Sequence, residues 1–260
     1  MSGKVRLKND SFIAEIVLDN PPVNALGSET VIELFEATEQ ISDWIKSRQT
    51  RVVILRSKGK HFCAGADLKE RLKLDDSEVS VAVKKIRKAV DGIWNIRVHV
   101  LALIHGVALG GGMELALAAD IRLAADDSKM GLKEVSLAIM PGAGGTQRLP
   151  RIVGMGKALE WITTAKDISP EEGLKSGLLN EIMPANNLLE RGLELAKSIA
   201  SNGAIGVQSA KKAVRDGFDR KYEDAMEIEW SEYLKTVPTQ DRLEGLNAFK
   251  DGRIPKYEGR

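Results

Sequence analysis

The sequence is poor in several residues and patterns that would decide a function at once. Cys63 is its only cysteine, so no internal disulfide can form and a metal site built from several cysteines is excluded; a reducing compartment is the simpler expectation. It also lacks an excess of either charge. With 38 basic and 37 acidic residues the formal charge is +1, which gives no global attraction for nucleic acid or a membrane surface and leaves only a local patch to consider. No clean membrane span is present: Val100 to Ala119 has the length of one, but His105, Glu114 and glycines interrupt it, and charge in lipid is costly. The opening MSGKVRLKND carries charge without a following apolar run, so no secretory signal is read. A cytoplasmic location is expected, or the mitochondrial matrix if a transit peptide has been removed.

Familiar chemical signatures are missing too. GAGG at 142–145 lacks the Lys-Ser/Thr of a phosphate-binding loop, and no Gly-x-Gly-x-x-Gly opens a first strand-turn-helix unit, which argues against a kinase or a dehydrogenase. His61, His99 and His105 have no metal-ligand spacing among themselves or with Cys63, so no metal is assigned. Cys63 has no base beside it, because His61 points elsewhere on an extended chain, and it reads as a small core residue. Ser57 and Ser136 sit in no nucleophile elbow.

What is present is an alternation of strand and helix patterns. Lys4 to Lys8 and Phe12 to Leu18 read as a hairpin turning at Asn9 and Asp10. An amphipathic helix follows from Ser28, its expected N-cap, to Ser47, then a short buried strand over Arg51 to Arg56. Ser77 to Ile96 is again helical, Val100 to Ile104 a strand, Gly112 to Ala119 a helix and Asp120 to Ala125 a strand. Gly154 to Ala165 and Pro170 to Ser176 look helical, and Leu178 to Met183 looks like a last strand. This order implies an α/β fold with parallel strands and right-handed crossovers, ligands lying at the strands' carboxyl ends. Near residue 190 the pattern becomes almost wholly helical, with Trp230, Tyr233, Leu234, Leu243, Leu246 and Phe249 available to cover the first part or another subunit.

Chemistry concentrates between Leu101 and Gln147. Gly110, Gly111 and Gly112 end a strand and open a helix whose free N–H groups and dipole favour a negatively charged oxygen. Glu114 falls in the first turn of that helix, within reach of whatever those groups hold. Glu134 is a second carboxylate in apolar surroundings, and the loop at 57–70 follows another strand's end, so both loops are expected to face one site.

Three segments, HFCAGADLKE (61–70), ALGGGMELA (108–116) and KEVSLAIMPGAGGTQRLPR (133–151), in this order, resemble the signature segments of the crotonase superfamily, the enoyl-CoA hydratases and isomerases. The resemblance runs essentially end to end, from NPPVNAL to PTQDRLEGLNAF, and is specific because three ordered segments agree. It implies a crotonase spiral of repeated ββα units over 1–190 and a helical trimerisation region over 191–260, usually in trimers or paired trimers. The family's oxyanion hole falls on the N–H groups of Ala66 and Gly111. Its two hydratase glutamates fall on Glu114, beside the attacking water, and Glu134, proton donor to C2. Together they would add water syn across the C2=C3 bond of an enoyl thioester. The coenzyme A groove falls on Ala64, Gly65, Asp67, Leu68, Lys69 and Gly110, with Ala25 opposite and Phe249 supplied by a neighbouring subunit. Coenzyme A is part of the substrate, and no separate cofactor is implied.

Lys58, Lys60, Lys69 and Arg71 are candidate phosphate contacts. Where the family often has a lysine after the aromatic residue this chain has Gly252, with Arg253 beside it. AGADLKER and GTQRLPR look most like the methylglutaconyl-CoA hydratase group, with straight short-chain 2-enoyl-CoA an almost equal choice. Two rival readings remain. A Δ3,Δ2-enoyl-CoA isomerase would need only one of the glutamates. An RNA-binding protein would use the basic stripe Lys84, Lys85, Arg87 and Lys88, which is read instead as a solvated helix face, with no aromatic platform nearby except Trp94 on the apolar side.

Overall fold

The computed structural model describes residues 3–260. Its centre is a six-stranded sheet in the order β1 (Val5–Asp10), β2 (Ile13–Leu18), β3 (Val52–Ser57), β4 (His99–Ile104), β6 (Ile121–Ala125), β8 (Glu181–Met183). Only β1 and β2 pair antiparallel; every later neighbour is parallel. Parallel strands are covered on both faces, which explains why VVILRS and HVLALI read as continuous apolar runs rather than alternating ones.

One face packs Ile16, Leu18, Val53, Leu55, Val100 and Ala102 against Leu34 and Ile41 of α1 (Ser28–Lys46), Val90 and Ile93 of α3 (Asp76–Trp94), and Leu115 of α4 (Gly111–Leu117). The other face packs Val52, Ile54, Leu101, Leu103 and Leu123 under α8 (Leu188–Ala200), through Leu188, Ala196 and Ala200. Thus the first helix of the tail belongs to the sheet's core in packing terms, although composition changes near 190. After it come α9 (Ala204–Gly217), α10 (Tyr222–Thr236) and α11 (Gln240–Asp251). The last two leave Trp230, Tyr233, Leu243, Leu246 and Phe249 exposed.

Several local features differ from the sequence reading. The hairpin turns at Ser11 and Phe12, both at positive φ, rather than at Asn9 and Asp10, which extend β1. Phe12 is held there by Arg51, whose guanidinium stacks 4.1 Å from its ring and whose N–H donates to the Phe12 carbonyl. Ser28 is not the N-cap of α1. Gly27 occupies that position, and the Glu70 carboxylate from α2 (Leu68–Arg71) accepts from the Ser28 amide and hydroxyl. A capping box of Asp75 and Glu78 opens α3. A second, two-stranded parallel sheet of β5 (Val107–Leu109) and β7 (Lys129–Gly131) branches off beside α4. A helix α5 (Gly145–Val153) precedes α6 (Met155–Thr164) and α7 (Pro170–Lys175). Among the described residues no helix is long and apolar enough to cross a membrane.

Candidate active site

After β3 the chain folds back beside β5. Phe62 and Cys63 donate to the carbonyls of His105 and Val107, and Leu109 donates to Cys63. On the other side Leu26 donates to Gly65 and bridges to Ala66. Asn24 pins the arrangement from below, its amide nitrogen donating to the carbonyls of Lys58 and His61.

Glycine is required at two points of this crossing. Gly65 stands at φ +94, and a Cβ there would lie 2.7 Å from the Leu109 carbonyl oxygen. Gly112 lies against Cys63, where a Cβ would meet the carbonyl oxygen at 2.1 Å. The close approach draws together the start of α4 and the loop behind Gly65: a Cβ on Gly111 would be 3.7 Å from the Ala66 nitrogen. Ala66 N–H has no protein acceptor among the described residues, and Gly111 N–H, at the first position of α4, has none inside its helix. Two free donors therefore lie side by side at a helix N-terminus.

Glu114, in the first turn of α4, is buried, and its Oε1 accepts from Ala143 N–H at 2.7 Å and Gly145 N–H at 2.9 Å. Gly144 between them stands at φ +107, which lets two alternate amides face one oxygen. Arg148 fixes this loop by donating to the Ala143 carbonyl and to Asp91. Glu134 opens a 3-10 turn (Glu134–Leu137) after β7; its Oε2 is buried without a hydrogen-bond partner. Both acids line one cleft of ≈ 190 Å³ together with Ala64, Gly65, Ala66, Gly110 and Gly111, opposite an apolar wall that includes Leu68, Val83, Ile86 and Ile139.

The two acids differ electrostatically. Burial raises the proton affinity of each. For Glu114 the Gly145 and Ala143 N–H bonds and the Arg148 charge oppose that rise. Glu134 is pushed up to about 7, by burial first and by the Glu114 charge in addition, against its own backbone hydrogen bond and the Arg71 charge. Glu134 is therefore the acid that can hold a proton near neutrality, and Glu114 the one backed by donors as an anion.

Of the residues expected along the coenzyme A groove, Ala64, Gly65, Leu68 and Gly110 line the cleft. Asp67 lies in an adjoining cavity and caps α2, accepting from the amides of Lys69 and Glu70. Lys69 and Lys60 are exposed and do not line the cleft, and Lys58 pairs with Asp19 at 3.2 Å. Of the four phosphate candidates Arg71 alone stands in the wall of the cleft. The Ala25 carbonyl accepts from Asn20, and Phe249 is 90% exposed on α11, outside the cleft of its own chain. Cys63 is buried with its thiol pushed up to about 12 by burial, consistent with a packing role. Among the described residues no group of three metal-capable side chains occurs. The amides of Ala143 and Gly145 were missed by sequence reasoning, because a backbone donor leaves no trace in residue type beyond the flanking glycines.

A parallel sheet carrying a paired-amide, paired-carboxylate cleft is the arrangement of an acyl-thioester enzyme of the crotonase fold. Residues 8–260 match the enoyl-CoA hydratase/isomerase family, and the chain belongs to it. It is 42% identical over 241 residues to the mitochondrial methylglutaconyl-CoA hydratase of Homo sapiens, covering 91% of this chain and 70% of that protein. The crystal structure of an enoyl-CoA hydratase from Bacillus anthracis is similar with a TM-score of 0.95 at 41% identity, over 99% of this chain and 100% of that one. An enoyl-CoA hydratase structure from Geobacillus kaustophilus HTA426 gives a TM-score of 0.95 at 31% identity, over 100% and 98%.

Proposed function

We propose that this chain is a hydro-lyase that adds water across the C2=C3 bond of a 2-enoyl-CoA thioester. The observation that carries the reading is the pair of acids of unlike protonation tendency beside two free amide donors in one cleft. Water attacking C3 pushes the π electrons toward the thioester oxygen. The N–H groups of Ala66 and Gly111 stabilise that enolate, each such donor being worth about 2.7 to 4 kcal/mol. Glu114 takes a proton from the water as it attacks, and Glu134 delivers its proton to C2 as the enolate collapses. Because the acids are coupled, the pair returns to its starting state when one proton passes back to Glu134. An isomerase needs a single shuttling acid, so the presence of two supports hydration.

The thioester's coenzyme A arm is read along Ala64 to Lys69 with Ala25 opposite, and no cofactor beyond the substrate is called for. The exposed apolar face of α10 and α11 supports a homo-oligomer in which Phe249 reaches a neighbouring copy's groove. The small cleft supports a short-chain or 3-methylglutaconyl acyl group, and with it a role in fatty-acid or branched-chain amino-acid breakdown.

The test is loss of the conjugated-enone absorbance of crotonyl-CoA. Wild type is expected to bleach it with incorporation of solvent oxygen at C3, and Glu114→Gln to be slower by about 10²- to 10⁴-fold while remaining folded. Full turnover in that variant would refute the chemistry; product lacking solvent oxygen would indicate isomerisation instead.

A further inference from the structure

We propose that Arg148 is a positioning residue for the hydration: without touching substrate, it ties the glycine-rich turn at 142–145 to α3, so that the turn's amides stay on Glu114 and keep that acid a base. This rests on the hydratase reading above. Arg148 stands in α5 and is not among the described residues that line the catalytic cleft. It lines a separate cavity of ≈ 650 Å³ that has no wall residue in common with the cleft.

Its grip falls on the peptide between the two amides. The Arg148 Nη1 group donates to the Ala143 carbonyl at 2.8 Å, and a Cβ on Gly144 would meet the same nitrogen at 2.2 Å, so the guanidinium lies directly against the turn. In a trans peptide the carbonyl and the following N–H point opposite ways. With the Ala143 carbonyl held by Arg148, the Gly144 N–H is turned aside, and the amides on either side of it, those of Ala143 and Gly145, meet Glu114 Oε1. Gly144, at φ +107, has the freedom to rotate once that grip is lost.

The anchor lies outside the turn. Arg148 Nη2 donates to Asp91 Oδ1 at 2.6 Å, and the guanidinium carbon lies 5.0 Å from the centre of the Trp94 ring, both residues of α3. Only 10% of the Arg148 side chain is exposed, which shields this pair from solvent. Because α3 also gives Val83 and Ile86 to the cleft, one helix sets both the apolar wall and, through Arg148, the turn that holds Glu114. The charged groups around Glu114 are Glu134 and Lys133 after β7, Arg71 at the end of α2, and Arg148 with Asp91 behind the turn. The Arg148 charge itself favours the Glu114 anion, but less than the Gly145 and Ala143 bonds that it keeps in place.

The test compares wild type, Arg148→Met and Arg148→Lys on crotonyl-CoA over a range of pH. Loss of the amides raises the proton affinity of Glu114, so the acid limb of kcat/KM in Arg148→Met is expected to move up by about one pH unit and the rate at about pH 6 to fall roughly 10-fold, while KM changes little. Arg148→Lys keeps the charge but not the fork, and is expected to recover only part of the shift. An infrared titration of the Glu114 carboxyl, made in Glu134→Gln so that the coupled partner is silent, needs no turnover and should show the same shift. Either readout staying in place in Arg148→Met overturns the proposal. So does full recovery by lysine, which would make Arg148 a through-space charge only. Should the methionine variant not fold, the partial shift in the lysine variant decides alone. A wild type inactive on crotonyl-CoA would overturn the hydratase reading, and the infrared titration would still decide for or against Arg148.

Discussion

Replacing Glu134 by Gln tests the electrostatics of the cleft apart from catalysis. In the folded chain this carboxyl holds its proton up to about 7, against an ordinary value of 4.5. Between those values the folded state binds more protons than the unfolded one, so stability is full below the lower value and falls as pH rises through the upper one. Above about pH 7 the native protein carries a buried carboxylate whose Oε2 has no partner. At 1.36 kcal/mol per decade of proton affinity the interval corresponds to an upper bound of about 3.4 kcal/mol. Solvent reaching the group through the open cleft reduces this to roughly 1–2 kcal/mol.

Gln never ionises, so Glu134→Gln should lose none of that stability. Whatever the amide costs or contributes in packing is the same at every pH and cancels when the variant's difference from wild type at pH 8.5 is compared with that at pH 5. Urea unfolding of both proteins at one protein concentration supplies the four values. The variant is expected to gain about 1–2 kcal/mol on wild type between the two pH values while its hydratase rate falls. A difference that stays constant with pH, or reverses, would refute the buried-acid account whatever happens to the rate.

Two further substitutions probe the scaffold. Gly112→Ala would put a methyl 2.1 Å from the Cys63 carbonyl oxygen, a backbone atom that cannot rotate away, and should cost about 1–3 kcal/mol in chemical unfolding; a variant as stable as wild type would mean the crossing of α4 and the Cys63 loop is loose. Lys211→Met removes a buried ammonium that donates to Asp120 at 2.8 Å and to the carbonyls of Ile96 and Val98, and should cost about 3–5 kcal/mol; a loss under 1 kcal/mol would mean Arg215 alone satisfies Asp120.

Legibility followed the scale of the signal. The strands of the main sheet show as apolar runs, and the three glycine-and-acid segments come together in the cleft because each follows a strand's carboxyl end. The strands β5 and β7 are three residues each, too short for any period, and exist only because the crossing at Cys63 sets them side by side. Helix α5 was hidden by its own composition, since it begins at a glycine and contains Pro150. Ser28 looked like a cap because its residue type is right, but Glu70, remote in sequence, supplies the acceptor. Similarly, Arg71 reads as one of four candidate phosphate contacts until α2 is folded against the cleft; the buried Lys211 ammonium, held by three oxygens from the β4 and β6 side, carries no mark in the sequence.

The division of labour between the glutamates follows from the backbone rather than from side-chain identity. Both are the same residue in the same apolar cleft, and both lose water. What separates them is donors: the glycine-rich turn at 142–145 gives Glu114 two amides, while the Glu134 Oε2 receives none. Each charge-assisted bond to a carboxylate favours the anion by about 1.5–3 kcal/mol, enough to make Glu114 the first to ionise, and its charge then keeps the proton on Glu134. The second glycine cluster, which fits no nucleotide fingerprint, has its chemical purpose here. It leaves one of two equivalent acids the more readily ionised and the other the one that keeps its proton, which is the asymmetry the proposed hydration would use.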